Sequence, residues 1–131
     1  MWRVILVLLI LSPSASIWAA EEEVKPEIFY VRLYPDFITN LSSKYKATFL
    51  QVRIELMTHG EEKKKLIEYN EPLLRDKLIL LFNSQSLAEV KGKEARHALQ
   101  KRALALVQEH LKNETGQPLV EQIYFTKVIV E

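Results

Sequence analysis

The residue types that most often carry chemistry are present in this chain, but their spacing matches no known catalytic or metal-binding pattern. His59, His97 and His110 are far apart, and none stands in the HExxH spacing of a zinc protease. Cysteine is absent, which excludes disulfides, thiolate metal sites and cysteine nucleophiles. The glycines form neither a phosphate-binding loop nor a nucleophile elbow. We therefore predict that the protein is not an enzyme and has no catalytic residues, no metal site and no cofactor.

The bulk composition is that of one small globular domain. The chain has 131 residues, of which 48% are hydrophobic and 27% are charged. Its formal net charge is +1, and without Arg3 the basic and acidic residues balance at 17 each. A neutral domain has no overall electrostatic attraction for a phosphate backbone. We therefore predict no nucleic-acid partner.

The first 20 residues have the pattern of a targeting segment. Arg3 is followed by an uncharged run, Val4–Ala20, and then by acidic residues. A positive start, a short apolar stretch and small residues at the end are typical of a signal peptide. A short membrane anchor is the alternative, since about 17 apolar residues are the lower limit for a span, although Pro13 interrupts the run.

Both possibilities for residues 1–20 place the rest of the chain outside the cytoplasm. Residues 21–28 are predicted to be a charged linker, and residues 29–131 are predicted to be the folded domain. Membrane contact is expected only through residues 1–20, and only if that segment is not cleaved. A cleaved chain would be soluble.

Alternating apolar residues predict the strands. Phe29–Tyr34 has this period of two, and Pro35 is expected to end the strand before a second short apolar piece, Phe37–Leu41. Tyr45–Thr58 is predicted to be a long strand with one buried face. Val120–Val130 is apolar on both faces, which indicates a central position in the sheet.

Start and stop signals predict the helices between these strands. A polar helix is expected to begin near Glu61, and the triplet Asn70-Glu71-Pro72 is typical of a second helix start. Gly92 is expected to start a further long helix that ends near Gly116. The elements together predict an α/β domain with a small mixed sheet of about three to four strands packed with two main helices.

The second helix has more apolar surface than one core can cover. Leu74, Leu78, Leu81 and Phe82 form one helical stripe, while Leu73, Ile79 and Leu80 add apolar surface outside it. A second copy of the chain is the predicted cover for part of this surface. The residues predicted to lie at the contact between protomers are Leu73, Leu80 and Phe82, with Arg75 and Asp76 pairing across or beside it.

Four blocks in order carry a family resemblance: FYVRLYPDFITNL (Phe29–Leu41), ATFLQVRIEL (Ala47–Leu56), the long segment Glu71–Leu104, and the terminal Val120–Glu131. Together they resemble the flagellar basal-body-associated FliL family. The resemblance implies a fold similar to the stomatin/prohibitin type of domain. It also implies a position on the periplasmic side of the bacterial inner membrane and a ring-like homo-oligomer. The implied partners are the flagellar stator and basal-body proteins.

These observations lead to one predicted function and one alternative. The predicted function is that of a noncatalytic flagellar basal-body-associated protein that self-associates and supports the stator in motility. Members of the family typically begin with a basic cytoplasmic tail and a long membrane helix, whereas residues 1–20 have a shorter apolar run. The alternative is therefore a soluble periplasmic binding adapter, a paralogue that docks on another envelope component.

Overall fold

The computed structural model of the chain describes residues 25–42 and 47–131. The predicted signal peptide or anchor and the first half of the predicted linker, residues 21–24, lie outside these residues. In chain order the elements are β1 (Ile28–Leu41), β2 (Thr48–His59), α1 (Glu61–Tyr69), α2 (Glu71–Asn83), α3 (Leu87–Val90), α4 (Lys93–Thr115) and β3 (Gln122–Val130).

The described residues form a sheet of three strands in the order β1-β2-β3, and both pairs are antiparallel. Helices cover one face of it, so the domain has two layers. The predicted α/β architecture is confirmed, and α2 and α4 are the two longest helices. The inward residues of β2 form the centre of the core, as their alternation predicted; they are Leu50, Val52, Ile54 and Leu56.

The prediction that Pro35 ends the first strand is wrong. β1 continues through it to Leu41, and the register with β2 shifts between Leu33 and Phe37. Leu33 lies opposite Ile54 and Phe37 lies opposite Val52, so three residues of β1 face one residue of β2. An edge strand tolerates proline because its outer N–H groups need no ladder partner. Since the irregularity adds an even number of residues, Leu33 and Phe37 both point into the core.

The prediction that the last strand is central is also wrong, because β2 is the central strand and β3 is an edge. Arg53 pairs with Lys127 while the next residue, Ile54, pairs with Phe125. Thr126 is therefore an extra residue in β3, and this bulge reverses the alternation of the strand. Phe125 and Val128 both pack against the core as a result. The bulge explains why β3 is apolar on both faces in sequence.

Helix boundaries follow the predicted signals. α2 begins at Glu71 with a proline in its first turn, and α4 begins directly after Gly92. α4 ends at Thr115 and is followed by Gly116, whose φ of 83° is in the left-handed region that favours glycine. Between α2 and α4, the short helix α3 is capped by the side chains of Ser86 and Glu89. None of the helices within the described ranges is long and apolar enough to cross a membrane.

Three phenylalanines connect the two layers at the centre of the core. The ring of Phe82 on α2 lies 5.5 Å from that of Phe37 on β1 and 5.8 Å from that of Phe125 on β3. Both pairs meet edge to face, which is a favourable arrangement for aromatic rings. α2 is therefore held against both edge strands through one side chain.

Candidate interaction surface

The histidines lie in three different places in the structure. The Nδ1 atom of His59, at the end of β2, lies 2.7 Å from a carboxylate oxygen of Glu121. His97 is exposed in the first half of α4, and His110 is half-buried near the end of the same helix. Within residues 25–42 and 47–131, no three His, Cys, Asp or Glu side chains are grouped to hold a metal ion. The absence of catalysis stays a prediction.

The outward face of α2 carries three large apolar side chains, which we call the α2 ridge: Leu73, Ile79 and Leu80. Leu73 is 50% exposed and Leu80 is 61% exposed. Leu80 is seven positions after Leu73, so the two leucines lie on the same side of the helix about 10 Å apart. Two of the residues predicted to contact another protomer are therefore accessible at the surface.

Phe82 does not belong to this surface. Its side chain has no solvent exposure, because it packs between the phenylalanines of β1 and β3. The prediction that Phe82 packs between protomers is corrected accordingly. Phe82 was also predicted to lie in the apolar stripe of the second helix. The structure supports that assignment, because Leu74, Leu78 and Phe82 are the buried residues of α2.

Arg75 is also directed into its own chain. Its guanidinium carbon lies 4.2 Å from the centre of the Phe37 ring, and its Nη2 donates to the backbone oxygen of Asp36 at 3.4 Å. The predicted pairing of Arg75 across a protomer contact is therefore not available in this arrangement. Asp76 is exposed and has no ion-pair partner among the residues described. Asp76 remains free to take the predicted role.

A second accessible surface is the face of the sheet that points away from the helices. At one end, the Tyr30 and Tyr124 rings lie 6.2 Å apart, and the Tyr124 hydroxyl lies 3.9 Å from the sulfur of Met57. At the other end, Ile38 and Phe49 line a shallow depression and are both exposed. We call this surface the outer sheet face.

A polar cluster separates the two apolar ends of the outer sheet face. Asp36 lies in the β1 irregularity and accepts two hydrogen bonds from Arg53, with N–O distances of 3.0 and 3.1 Å. Gln51 donates to the same carboxylate at 3.0 Å, and an Arg32 nitrogen lies 3.6 Å away. Arg53 and Gln51 lower the pKa of Asp36 from 3.8 to about 2. The cluster thus ties the irregular part of β1 to the central strand.

This pairing predicts how stability depends on pH. Unfolded Asp36 takes up a proton near pH 3.8, whereas folded Asp36 does so only near pH 2. The unfolded state therefore binds more protons within this window, and the stability that Asp36 contributes at higher pH is lost as pH falls through it. We expect an Asp36→Asn variant to be less stable at neutral pH and to lose less stability across the window.

The measurement is the urea midpoint at a series of pH values on both sides of the window. Asp76→Asn is the matched control, because the carboxylate of Asp76 is exposed and has no ion-pair partner among the described residues. It should follow the wild-type curve. Parallel curves for Asp36→Asn and the wild type would show that the ionisation of Asp36 does not contribute to the pH dependence of stability.

The outer sheet face was not identified from the sequence, although a signal for it was present. Tyr30 and Tyr34 alternate with the buried residues Val31 and Leu33, so they occupy positions that point to solvent. Two large aromatic residues at such positions are unusual for a face that only contacts water. Ile38 gives the same signal, but the predicted break at Pro35 obscured its place in the alternation.

Comparisons with known proteins agree with the resemblance found in the sequence. The sequence model described as "Flagellar basal body-associated protein FliL" matches residues 30–130. A protein named "Flagellar protein FliL" from Aquifex aeolicus (strain VF5) is 27% identical over 113 residues, which cover 86% of this chain and 68% of that protein. The matched region contains every strand from β1 to β3 apart from the first two residues of β1. The chain is therefore a member of the flagellar basal body-associated FliL family.

Proposed function

We propose that this protein acts without catalysis on the periplasmic side of the inner membrane, where copies of it associate into a ring-like assembly that supports the flagellar stator. Membership of the FliL family supports the flagellar part of this proposal. The pattern of Arg3 followed by Val4–Ala20 supports the periplasmic part, because it directs the rest of the chain out of the cytoplasm. The role is mechanical: the assembly braces the periplasmic part of the stator.

The α2 ridge is the observation that carries self-association. Fully burying one leucine or isoleucine side chain is worth about 1.5–3 kcal/mol. The three ridge residues are already partly covered in the protomer, yet a second copy could still remove a large part of each from water. Asp76 and Lys77 lie between the two leucines and are exposed, so they can form ion pairs at the rim of such a contact.

A ring requires a contact between two different patches of the protomer, since a patch that binds only its own copy produces a closed dimer. The α2 ridge can serve as one of these patches. Its position on one side of the domain leaves the outer sheet face uncovered, because the helices and this face lie on opposite sides of the sheet. A ring built through the ridge would therefore still present a broad surface to the stator.

Deletion of the gene tests the flagellar role. We expect cells that lack the protein to swim more slowly than the wild type in viscous medium, because an unsupported stator delivers less torque under load. A plasmid copy of the wild-type gene should restore the speed, whereas a Leu80→Glu copy should not. Unchanged swimming speed in the deletion strain under load would contradict the proposed support of the motor.

The second candidate function is that of a soluble periplasmic adapter that docks on another envelope component. The outer sheet face favours it, because Ile38 and Tyr34 are highly exposed and none of the helices in the described part of the chain covers them. In this case deletion leaves swimming speed unchanged, and Leu80→Glu does not change binding of the partner.

The N-terminal mass of protein purified from its native envelope distinguishes a processed chain from an anchored one.

A further inference from the structure

A groove lies between the start of α4 and the second half of β3, along the edge of the sheet and away from the α2 ridge. Its helix side is lined by Lys93, Arg96 and His97, and its strand side is lined by Phe125, Thr126 and Lys127. The groove has a volume of about 520 Å³. This is within the range of roughly 300–1,000 Å³ that is usual for ligand clefts.

The groove is strongly basic in a protein with almost no net charge. Lys93 and Lys127 have neither an ion-pair nor a hydrogen-bond partner among the residues that the structure describes. A neighbouring depression extends the basic surface to Lys101, and Glu94 is the acidic residue that lines it. The cationic side chains on these two surfaces therefore outnumber the acidic ones, although the formal charge of the whole chain is only +1.

The position of Arg96 is fixed by the fold. Its Nε donates to the backbone oxygen of Val90 at 3.2 Å, which holds the guanidinium beside the groove and leaves the two Nη groups for another acceptor. Gln100, one turn further along α4, donates to the backbone oxygen of Ile123 on β3. This hydrogen bond closes the groove at one end.

The apolar floor of the groove determines what kind of anionic ligand fits. Phe125 and Val128 form this floor, because they are half-buried between the helix and the edge strand and lie below the charged rim. A flat lipid surface could touch the rim lysines without reaching this floor. An extended peptide could place one apolar side chain on the floor and acidic side chains against the rim. β3 is an edge strand, which also suits an extended ligand lying beside it.

We propose that this groove binds an acidic, extended segment of a partner protein, with Lys93 and Lys127 pairing with its carboxylates and Phe125 contacting an apolar side chain between them. The site is distinct from the α2 ridge, so it operates whether or not the protein self-associates. The expected ligand is an extended peptide in which acidic and apolar residues alternate.

The test uses the full chain and a short fluorescent peptide of alternating glutamate and valine. A Lys93→Gln/Lys127→Gln variant should bind this peptide about fivefold to tenfold more weakly than the wild type, since two exposed ion pairs are lost. The matched control is Lys25→Gln/Lys112→Gln, which removes the same charge from exposed lysines outside the groove. Its affinity should remain within about twofold of the wild type.

Three further measurements make the proposal falsifiable. Amide NMR shifts on peptide binding should concentrate at residues 92–100 and 125–128. Equal weakening in both double variants, or no binding of the peptide to the wild type, would overturn the proposal. Loss of binding to vesicles containing phosphatidylglycerol in the groove variant, without any peptide binding, would assign the groove to a lipid surface instead. If inorganic phosphate alone displaced the peptide and shifted the same amide signals, the groove would be a simple anion site, and the proposal would also be overturned.

Discussion

Replacing Phe82 with alanine is expected to lower the free energy of unfolding by about 3–5 kcal/mol. The side chain is fully buried, and it is the residue through which α2 contacts the rings of Phe37 and Phe125. Alanine would leave a cavity between the sheet and the helix, and both edge-to-face contacts would be lost. Because small domains are stable by only about 5–15 kcal/mol, this single change removes a large part of the total.

The matched control for this prediction is Leu80→Ala on the same helix. Leu80 is mostly exposed in the protomer, so its truncation should change the free energy of unfolding by about 0.5 kcal/mol or less. Urea unfolding followed by circular dichroism, at a concentration low enough to keep the chains monomeric, measures both values. A Phe82→Ala variant as stable as Leu80→Ala would contradict the placement of Phe82 in the core.

The buried face of a strand or helix could be predicted where it follows from the periodicity of that element alone. The buried face of β2 follows from its alternation, and the stripe of Leu74, Leu78 and Phe82 follows from helical periodicity. The exposure of Leu73 and Leu80 follows in the same way, because both lie outside that stripe. Local sequence carries this information, since a single strand or helix determines which side chains share a face.

The errors arose where the structure depends on a partner that is distant in sequence. The bulge at Thr126 is defined by the register of β3 on β2, about 70 residues earlier in the chain, and no local signal marks it. Arg75 was expected to pair across or beside a protomer contact because helical periodicity places it on the helix with Leu73 and Leu80. Its partner is the ring of Phe37, on another element.

The basic groove is a further consequence of distant pairing. Lys93 and Lys127 lie at opposite ends of the region from α4 to β3, and in sequence neither can be distinguished from an ordinary surface lysine. They come together because α4 packs along β3 and the chain turns back after Gly116. Composition could not indicate this site, since the acidic residues elsewhere balance its charge in the total.

Replacing Leu80 with glutamate is expected to abolish self-association while the protomer stays folded. The contact would lose the burial of a leucine, worth about 1.5–3 kcal/mol, and would instead have to desolvate a carboxylate. A loss of about 3 kcal/mol weakens association by roughly a hundredfold. Sedimentation velocity over a range of concentrations measures the change, and circular dichroism checks that the fold is retained.

Ile38→Glu is the control that separates the two accessible surfaces. Ile38 is 67% exposed, close to the 61% of Leu80, and the change introduces the same charge on the outer sheet face. If the contact joins the α2 ridge to a patch outside the outer sheet face, Ile38→Glu should associate like the wild type. Oligomers that persist in Leu80→Glu and disappear in Ile38→Glu would move the contact to the outer sheet face. The ridge would then be an apolar surface that binds something other than a second copy of this chain.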